Sequence, residues 1–321
     1  MRVLVTGATG FVGRALVERL AQEASYDVRV GVRRMVADLP PGVETAVTGE
    51  LGPTTDWRAA LRGCDVVVQA AARVHMMRDD DPDPLAAFRR VNTAGTVTLA
   101  RQAAAAGVRR FVFISSIKVN GEATPLGCPF TADDPPAPAD PYGISKLEAE
   151  QGLRRVASET GMEVVVVRPP LVYGRGVKAN FLSMMRWLNR GVPLPLGAIR
   201  NKRSLVALDN LVDLLRICIR HPAAANEVFL VSDGEDLSTP ELLRRLAAAL
   251  GKPARLLPVP PAALTTCAAI VGRSAVAQRL FGSLQVDIGK TQAQLSWTPP
   301  VSVDEALART ASYFLRSQAT S

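Results

Sequence analysis

Tyr142-Gly-Ile-Ser-Lys146 places a phenol and an ammonium one helical turn apart on the same face. An unperturbed tyrosine titrates near about 10, and a neighbouring Lys⁺ favours the phenolate, lowering that value toward the working pH. Tyr142 can then take a proton from an alcohol or give one to a ketone. Ser115 and Ser116 close a hydrophobic run, Arg110 to Ile114, that has the pattern of a buried strand. A hydroxyl at Ser116 is placed to hydrogen-bond the oxygen that Tyr142 serves and to position it. Lys118 is the odd member of the set. Either it donates to a carbonyl, an N-acetyl group or a phosphate, or its stem runs along the pocket rim and delivers the ammonium to solvent.

Such groups need a scaffold, and the first 175 residues supply a legible one. Short Val/Ile-rich runs alternate with longer helical patterns, the sign of repeated βαβ units around a parallel sheet. Strands are expected at Val3–Val5, Val28–Val32, Val43–Val47, Asp65–Gln69, Phe111–Ser115 and Val164–Arg168. Beyond Tyr173 the pattern loosens into a helix over Ala179–Asn189, a Pro/Gly stretch over Gly191–Gly197 and short strands at Leu205 and Val228. Ser238-Thr-Pro-Glu241 and Ser302-Val-Asp-Glu305 read as capping boxes opening helices, with Gly251 stopping the first of them. Asp133 to Pro138 reads as an extended surface loop, and the apolar stretch Ala262–Val271 as a core helix too short to span a bilayer. The expected class is α/β: a Rossmann doubly wound parallel sheet with helices on both faces, plus a smaller mixed α/β region. Residues 1–173 form the first unit, rejoined around 204–233, and 174–203 with 234–321 form the second.

Thr6-Gly-Ala-Thr-Gly-Phe-Val-Gly13 follows the first strand and opens an apolar helix, the context that a dinucleotide fingerprint requires. Glycines at 7, 10 and 13 allow a tight turn, close approach of a pyrophosphate to backbone N–H groups and close helix-to-sheet packing; the helix N-terminus adds partial positive charge. Thr6, Phe11 and Val12 complete that loop. About 20 positions downstream, where NAD-binding folds commonly carry an acidic residue, the second strand ends in Arg33 and Arg34. Two guanidiniums there suit a 2′-phosphate and favour NADP(H) over NAD(H), unless they simply face water. Glu50 and Leu51 either flank the adenine or pack as an ordinary turn, and Ala70, Ala71 and Ala72 leave room for the cofactor's backbone on the same terms. An oxidised nicotinamide would add its positive charge to that of Lys146 in lowering the Tyr142 phenol.

Hydrophobic residues at 48% and charged residues at 21% fit an ordinary globular chain and exclude an intrinsically disordered one. The net charge of +8 comes mostly from scattered arginine without aromatic interleaving, so nucleic acid is not an expected partner. Cys64, Cys128, Cys218 and Cys267 lack paired spacing, and His75 and His221 are far apart, so neither a metal site nor a disulfide framework is expected. The acidic stretch Asp79 to Asp81, followed by Pro82 and Pro84, reads as a solvated loop. With no secretory pattern at its start, the chain is expected in the cytoplasm, without membrane insertion.

Taken in order, the glycine loop, the alanines at 70–72, Asn92 in Val-Asn-Thr-Ala-Gly-Thr96, Ser116, Tyr142 with Lys146, and Arg168-Pro-Pro-Leu-Val-Tyr-Gly174 resemble the extended short-chain dehydrogenase/reductases that act on nucleotide sugars. The resemblance covers essentially the whole chain. It implies cofactor contacts at Asn92, Ser115, Tyr142, Lys146, Pro169 and Val172. It also implies UDP-sugar contacts at Ser116, Lys118, Asn180, Phe181, Arg203 and, more weakly, Arg279, and a homodimer built on the Asn92 and Tyr142 helices. Leu171 departs from the family, many of whose epimerases have asparagine there. The related 4,6-dehydratases carry an Asp-Glu pair after the catalytic serine or threonine; Ile117 and Lys118 stand there instead, which disfavours elimination. Two reactions at sugar C4 remain: one-way reduction of a 4-keto sugar, such as UDP-4-keto-6-deoxy-N-acetylglucosamine, and 4-epimerisation of a UDP-hexose. The basic pair at 33 and 34 favours reduction. A third reading, a catalytically silent NADP-binding regulator, is weakened by the presence of both Tyr142 and Lys146.

Overall fold

The computed structural model describes residues 1–74, 82–270 and 281–319, with the backbone alone for 266–270. His75, the stretch Asp79 to Asp81 and Arg279 lie outside the described residues. Seven parallel strands make the main sheet: β1 (Arg2–Thr6), β2 (Asp27–Val32), β3 (Glu44–Val47), β4 (Val66–Gln69), β5 (Arg110–Ile114), β6 (Glu163–Arg168) and β9 (Val228–Leu230). Their spatial order, β3-β2-β1-β4-β5-β6-β9, is that of a doubly wound Rossmann fold. A second sheet holds β10 (Asp236–Leu237), β8 (Arg203–Ala207) and β7 (Leu171–Tyr173) in that order.

Side-chain alternation explains why these runs are apolar throughout. Val3 and Val5 enter one core while Leu4 enters another; Val66 and Val68 separate in the same way from Val67, and Val112 from Phe111 and Phe113. A strand covered on both faces has no solvent side to mark with polar residues. The first core lies beneath α1 (Phe11–Leu20) and α7 (Leu208–Arg220), which pack on one another. On the opposite face are α2 (Arg58–Leu61), α4 (Thr96–Ala105) and α5 (Pro141–Thr160). A third core belongs to the second region, where α6 (Ala179–Asn189) and α11 (Val303–Ala319) pack against α8 (Thr239–Ala249).

The six expected strands of the main sheet are present within about a residue at either end. The return after the second region is made by α7 and β9, whereas β8 pairs with β7 and β10 in the small sheet. Both halves of the Ser238/Glu241 capping box form. At 302–305 only one half does: Glu305 N–H donates to Ser302, while the Glu305 carboxylate pairs with Arg309. Gly251, at φ +67°, ends α8 as expected. The expected core helix is a helix, α9 (Pro261–Ile270), but Pro261, Ala262, Ala263 and Thr265 are exposed, which corrects its assignment to the core. Apolar composition was read as burial, yet the first turn of this helix lies largely in solvent.

Buried arginines close two helix ends. Arg110, 1% exposed, donates to the carbonyls of Cys218 and His221 at the end of α7 and pairs with Glu163 at 2.6 Å. Arg29 does the same for the carbonyls of Ala60 and Arg62 after α2. Cations suit these helix ends because unpaired carbonyls and the negative dipole end meet there. Replacing Arg110→Met leaves those carbonyls without their donor; urea unfolding is expected to show a loss of about 2 kcal/mol.

Candidate active site

The glycine loop turns between β1 and α1 in the space that its missing side chains leave. Gly7 has φ +73°, and a Cβ there would lie 2.6 Å from Ala71 N, so the loop after β4 approaches it directly. A Cβ on Gly13 would lie 2.2 Å from Gly7 O, which is why α1 can start so close to the turn. Gly10 caps α1 with no side-chain bond, and the first turn has no acidic residue. Backbone N–H groups of Phe11 and Val12 therefore meet no competing carboxylate, and the loop fits the pyrophosphate of a dinucleotide.

The expected neighbours of this loop are partly in place. Ala70, Ala71 and Ala72 follow β4 half-buried, with Ala71 N–H donating to Thr6 Oγ1 at 3.4 Å. Leu51 packs against Gly95, where a Cβ would meet its Cγ at 2.9 Å, so the 50–52 turn is held against the helix beginning at 96. Glu50 itself is exposed, and its carbonyl accepts from Thr55. Arg33 and Arg34 are both exposed at the end of β2.

Asn92 does a different job from the one expected. It lies in a widened π-helical turn, Arg89–Gly95, between α3 (Pro84–Phe88) and α4. Its amide accepts from Arg73 N–H at 2.8 Å, and donates to Arg73 O at 3.0 Å and Ser145 Oγ at 3.1 Å. The side chain thus ties the loop after β4 to α5.

Tyr142 and Lys146 project from the first two turns of α5. Asp140 caps this helix through Gly143 N–H at 2.7 Å, and Pro141 follows at the position where a missing N–H costs nothing. Lys146 is 2% exposed; its ammonium donates to Ile114 O at 2.8 Å and lies 4.3 Å from the centre of the Phe113 ring. It is thereby held at the end of β5, beside the serine turn. Burial pulls the Lys146 ammonium down to about 7, with the Glu150 carboxylate opposing the change. The Tyr142 phenol moves the other way. Burial first and Asp140 second push it above its ordinary range in the protein without cofactor, whereas the lowering expected from the sequence drew on Lys146 together with an oxidised nicotinamide. A lysine that is itself partly neutral near pH 7 supplies only part of the positive charge that lowering needs.

Ser116, half-buried, caps the short 3₁₀ turn Ile117–Val119, its Oγ accepting from Lys118 N–H at 3.3 Å and leaving its hydroxyl proton to give. Ser115 is turned inward and donates to Glu150 Oε1 at 2.5 Å. Lys118, expected either to donate to a ligand or to reach solvent, has partners within the protein. Its ammonium is ion-paired with Asp140 and, at 3.3 Å, with Glu122. A Cβ on Gly143 would lie 2.9 Å from Lys118 O, so only glycine lets the serine turn lie this close to the start of α5. The lysine clamps the two segments that bear Ser116 and Tyr142.

Glu150 and Arg168 were not singled out as site residues. Both are 1% exposed at the side chain and joined by two contacts, at 2.6 and 3.0 Å, while Arg168 Nη1 donates to Asn120 at 3.0 Å. The signal was present in the spacing: 142, 146 and 150 fall on one face of a helix.

The second region is less readily assembled. Pro169 is buried and accepts from Ile117 N–H, and Val172 is half-buried on β7, which follows it directly. Asn180 is exposed at the start of α6. Phe181 is 1% exposed and stacks on Tyr173 with ring centres 5.4 Å apart, so its ring belongs to the core. Arg203 donates to Gly282 O at 2.9 Å, and burial lowers its pKa.

Residues 3–232 match the model of the NAD dependent epimerase/dehydratase family. The chain is 51% identical over 98% of its length to a UDP-glucose 4-epimerase of Vibrio cholerae, 96% of which is covered. Among solved structures it is similar to UDP-glucuronic acid 4-epimerase from Bacillus cereus in complex with NAD, at a TM-score of 0.79 with 20% identity and 99% of each chain covered. It is likewise similar to the UDP-glucose 4-epimerase of Thermotoga maritima with UDP-glucose, at a TM-score of 0.77 with 22% identity, over 99% of this chain and 100% of the other.

The displaced Lys146 ammonium makes stability depend on pH. Between about 7 and the ordinary lysine value of 10.5, the folded protein binds fewer protons at Lys146 than the unfolded chain, so this group's contribution to stability rises with pH. In thermal or urea unfolding of the protein without cofactor, the stability difference between the native chain and Lys146→Met should change by about 1–2 kcal/mol from pH 7 to pH 9, in favour of the native chain. A constant difference would place an ordinary lysine there.

Proposed function

The chain belongs to the NAD-dependent epimerase/dehydratase family, and from that premise we propose that it is a UDP-hexose 4-epimerase working through transient oxidation at sugar C4. What supports this reading is Ser116 and Lys146 at the end of β5 with Tyr142 one turn before Lys146 on α5, followed by Ile117 and Lys118 where elimination would need carboxylates. Ile117 is 4% exposed in the core, and Lys118 is held by Asp140. The 51% identity to a protein named UDP-glucose 4-epimerase supports the epimerase direction.

In this reading the glycine loop and the N-terminus of α1 hold the dinucleotide's pyrophosphate, and Lys146 holds the nicotinamide ribose. The bound nicotinamide supplies hydride acceptance and return. Tyr142 takes the C4 hydroxyl proton as the alcohol is oxidised and gives a proton back to the ketone, while Ser116 donates to the same oxygen and fixes it. The high phenol pKa of the protein alone keeps Tyr142 protonated; added positive charge beside it favours the phenolate. Exchange of the face presented to the nicotinamide is what inverts C4, and the second region, β7 onward, holds the UDP group during that turn. Asn180 and Arg203 are the side chains assigned to it, with a homodimer through α4 and α5 and a cytoplasmic site of action completing the proposal.

A second reading is favoured by Arg33 and Arg34, exposed together at the end of β2. They suit the 2′-phosphate of NADPH, and with it consumption of cofactor in reduction of a UDP-4-keto-6-deoxy-N-acetylhexosamine.

One assay pair separates the readings. UDP-glucose and UDP-N-acetylglucosamine with NAD should yield their C4 epimers without net cofactor turnover. Stoichiometric NADPH oxidation by UDP-4-keto-6-deoxy-N-acetylglucosamine, with no epimer formed, would replace the epimerase by the reductase. Tyr142→Phe should lose at least about 100-fold in turnover while still binding cofactor; unchanged turnover removes both reactions. If the reductase reading holds, Arg33→Ala with Arg34→Ala should raise the KM for NADPH and leave that for NADH unaltered.

A further inference from the structure

The positive charge of the chain is not evenly placed. Residues 169–208 contain seven Lys or Arg and no Asp or Glu, and residues 242–286 contain six and none. With the whole chain at +8, these two stretches exceed the net charge, so the remainder is net negative. The structure brings them together. Leu194 and Leu256 form a parallel bridge, with Leu194 N–H donating to Arg255 O and Leu257 N–H to Leu194 O, both at 2.8 Å.

What this seam presents outward is both basic and apolar. On α6, Phe181, Met184, Met185 and Leu188 face the core, leaving Arg186, Trp187 and Arg190 exposed on the opposite side. Trp187 is 45% exposed, Val192 in the following turn 40% and Leu257 50%. Arg186, Arg190 and Arg255 are exposed and have no ion pair among the described residues, unlike Lys202 and Arg245, which meet Glu241 and Glu235. From Leu257 the chain runs through Pro258 and Pro260 into α9, whose first residues are exposed and whose sequence, Pro-Ala-Ala-Leu-Thr-Thr-Cys-Ala-Ala-Ile, has no charged residue. A tryptophan, exposed aliphatics and arginines without an ion pair among the described residues, all drawn from two stretches without acidic residues, are the combination that binds at the headgroup level of a bilayer.

We propose that the outer face of α6 together with the 192–258 seam and the start of α9 is a peripheral docking surface for an anionic phospholipid bilayer. The occupant follows from complementarity. Neither stretch contributes a carboxylate that would repel acidic headgroups, several guanidiniums are there to meet them, and Trp187, Val192 and Leu257 enter the interface. Docking is reversible, since no helix among the described residues is long and apolar enough to cross a membrane. It leaves the serine turn and α5, on the other unit, open to their reaction, and it does not depend on which C4 reaction the site performs.

The test is co-sedimentation of the full chain with phosphatidylglycerol/phosphatidylcholine vesicles and with phosphatidylcholine vesicles alone, at low and raised salt. Binding is expected to the acidic vesicles only, weakening as salt rises. Charge reversal Arg186→Glu/Arg190→Glu/Arg255→Glu should lower vesicle affinity by at least about tenfold. Trp187→Ser/Leu257→Ser should weaken it with the salt dependence retained. Both variants should keep the secondary-structure circular dichroism and soluble-substrate turnover of the native chain. The proposal is overturned if acidic vesicles do not bind the native chain, or if both variants bind as it does. It is overturned equally if duplex DNA competes as well as acidic lipid, marking non-specific charge, or if the variants convert a dimer to monomer in sedimentation velocity, marking a contact between copies.

Discussion

The end of the main sheet that bears Ser116, Tyr142 and Lys146 is assembled around the buried pair of Arg168 and Glu150. Removing both charges from water costs several kcal/mol per ion, and such a pair persists only where its remaining hydrogen-bond capacity is met. Here it is: Glu150 takes two contacts from Arg168 and one from Ser115, and Arg168 passes its third to Asn120. Those four residues come from α5, the end of β6, the end of β5 and the serine turn. An error in the position of any one would strand a charge, so the pair fixes where α5 lies along β5 and β6. Lys146 and Tyr142, one and two turns before Glu150, inherit that placement.

Electrostatics follow from the same geometry. The Glu150 carboxylate is spent on Arg168 and Ser115, so it opposes the desolvation of Lys146 without cancelling it, and the ammonium comes to rest at about 7. At the outer end of α5, Asp140 is shared between the helix cap and Lys118. Its negative charge raises Tyr142, while Lys118 partly neutralises Asp140 and anchors the turn that bears Ser116. Two lysines near one tyrosine are therefore placed differently: Lys146 is buried 5.9 Å from the centre of the Tyr142 ring, and Lys118 ties the serine turn to the start of α5.

Much of this was legible in the sequence for a definite reason. Strands buried on both faces are apolar without interruption, and a glycine loop between strand and helix has few alternatives to anion binding. The catalytic spacing 142/146 survives because a helix converts it directly into a shared face. What stayed hidden depends on partners distant in the chain. Lys118 could be read as ligand donor or solvent cation, since Asp140 lies 22 residues away across a proline-rich loop. Phe181 looked like a ligand contact by position, but Tyr173 stacks on it and takes it into the core. Arg110 looked like an ordinary strand start, although it closes a helix more than 100 residues later. β7 and β10, at three and two residues, are too short to carry any periodicity.

The two regions divide charge as well as structure. Around the main sheet several cations are consumed internally, although Arg33 and Arg34 stay exposed: Arg110 and Arg29 end helices, Arg168 is paired, and Lys146 and Lys118 are tied to α5 and its neighbours. In the second region Arg203 is likewise drawn inward, to Gly282, but Arg186, Arg190 and Arg255 are left in solvent beside exposed apolar side chains. A folded surface tolerates unpaired arginines easily, since exposed ion pairs contribute little to stability. The complete exclusion of acidic residues over two long stretches, joined by the 194–256 bridge, is therefore not something that folding demands. It is a property of the surface, and it sets the second region apart from the main sheet, where the buried cations are tied to carbonyls and carboxylates.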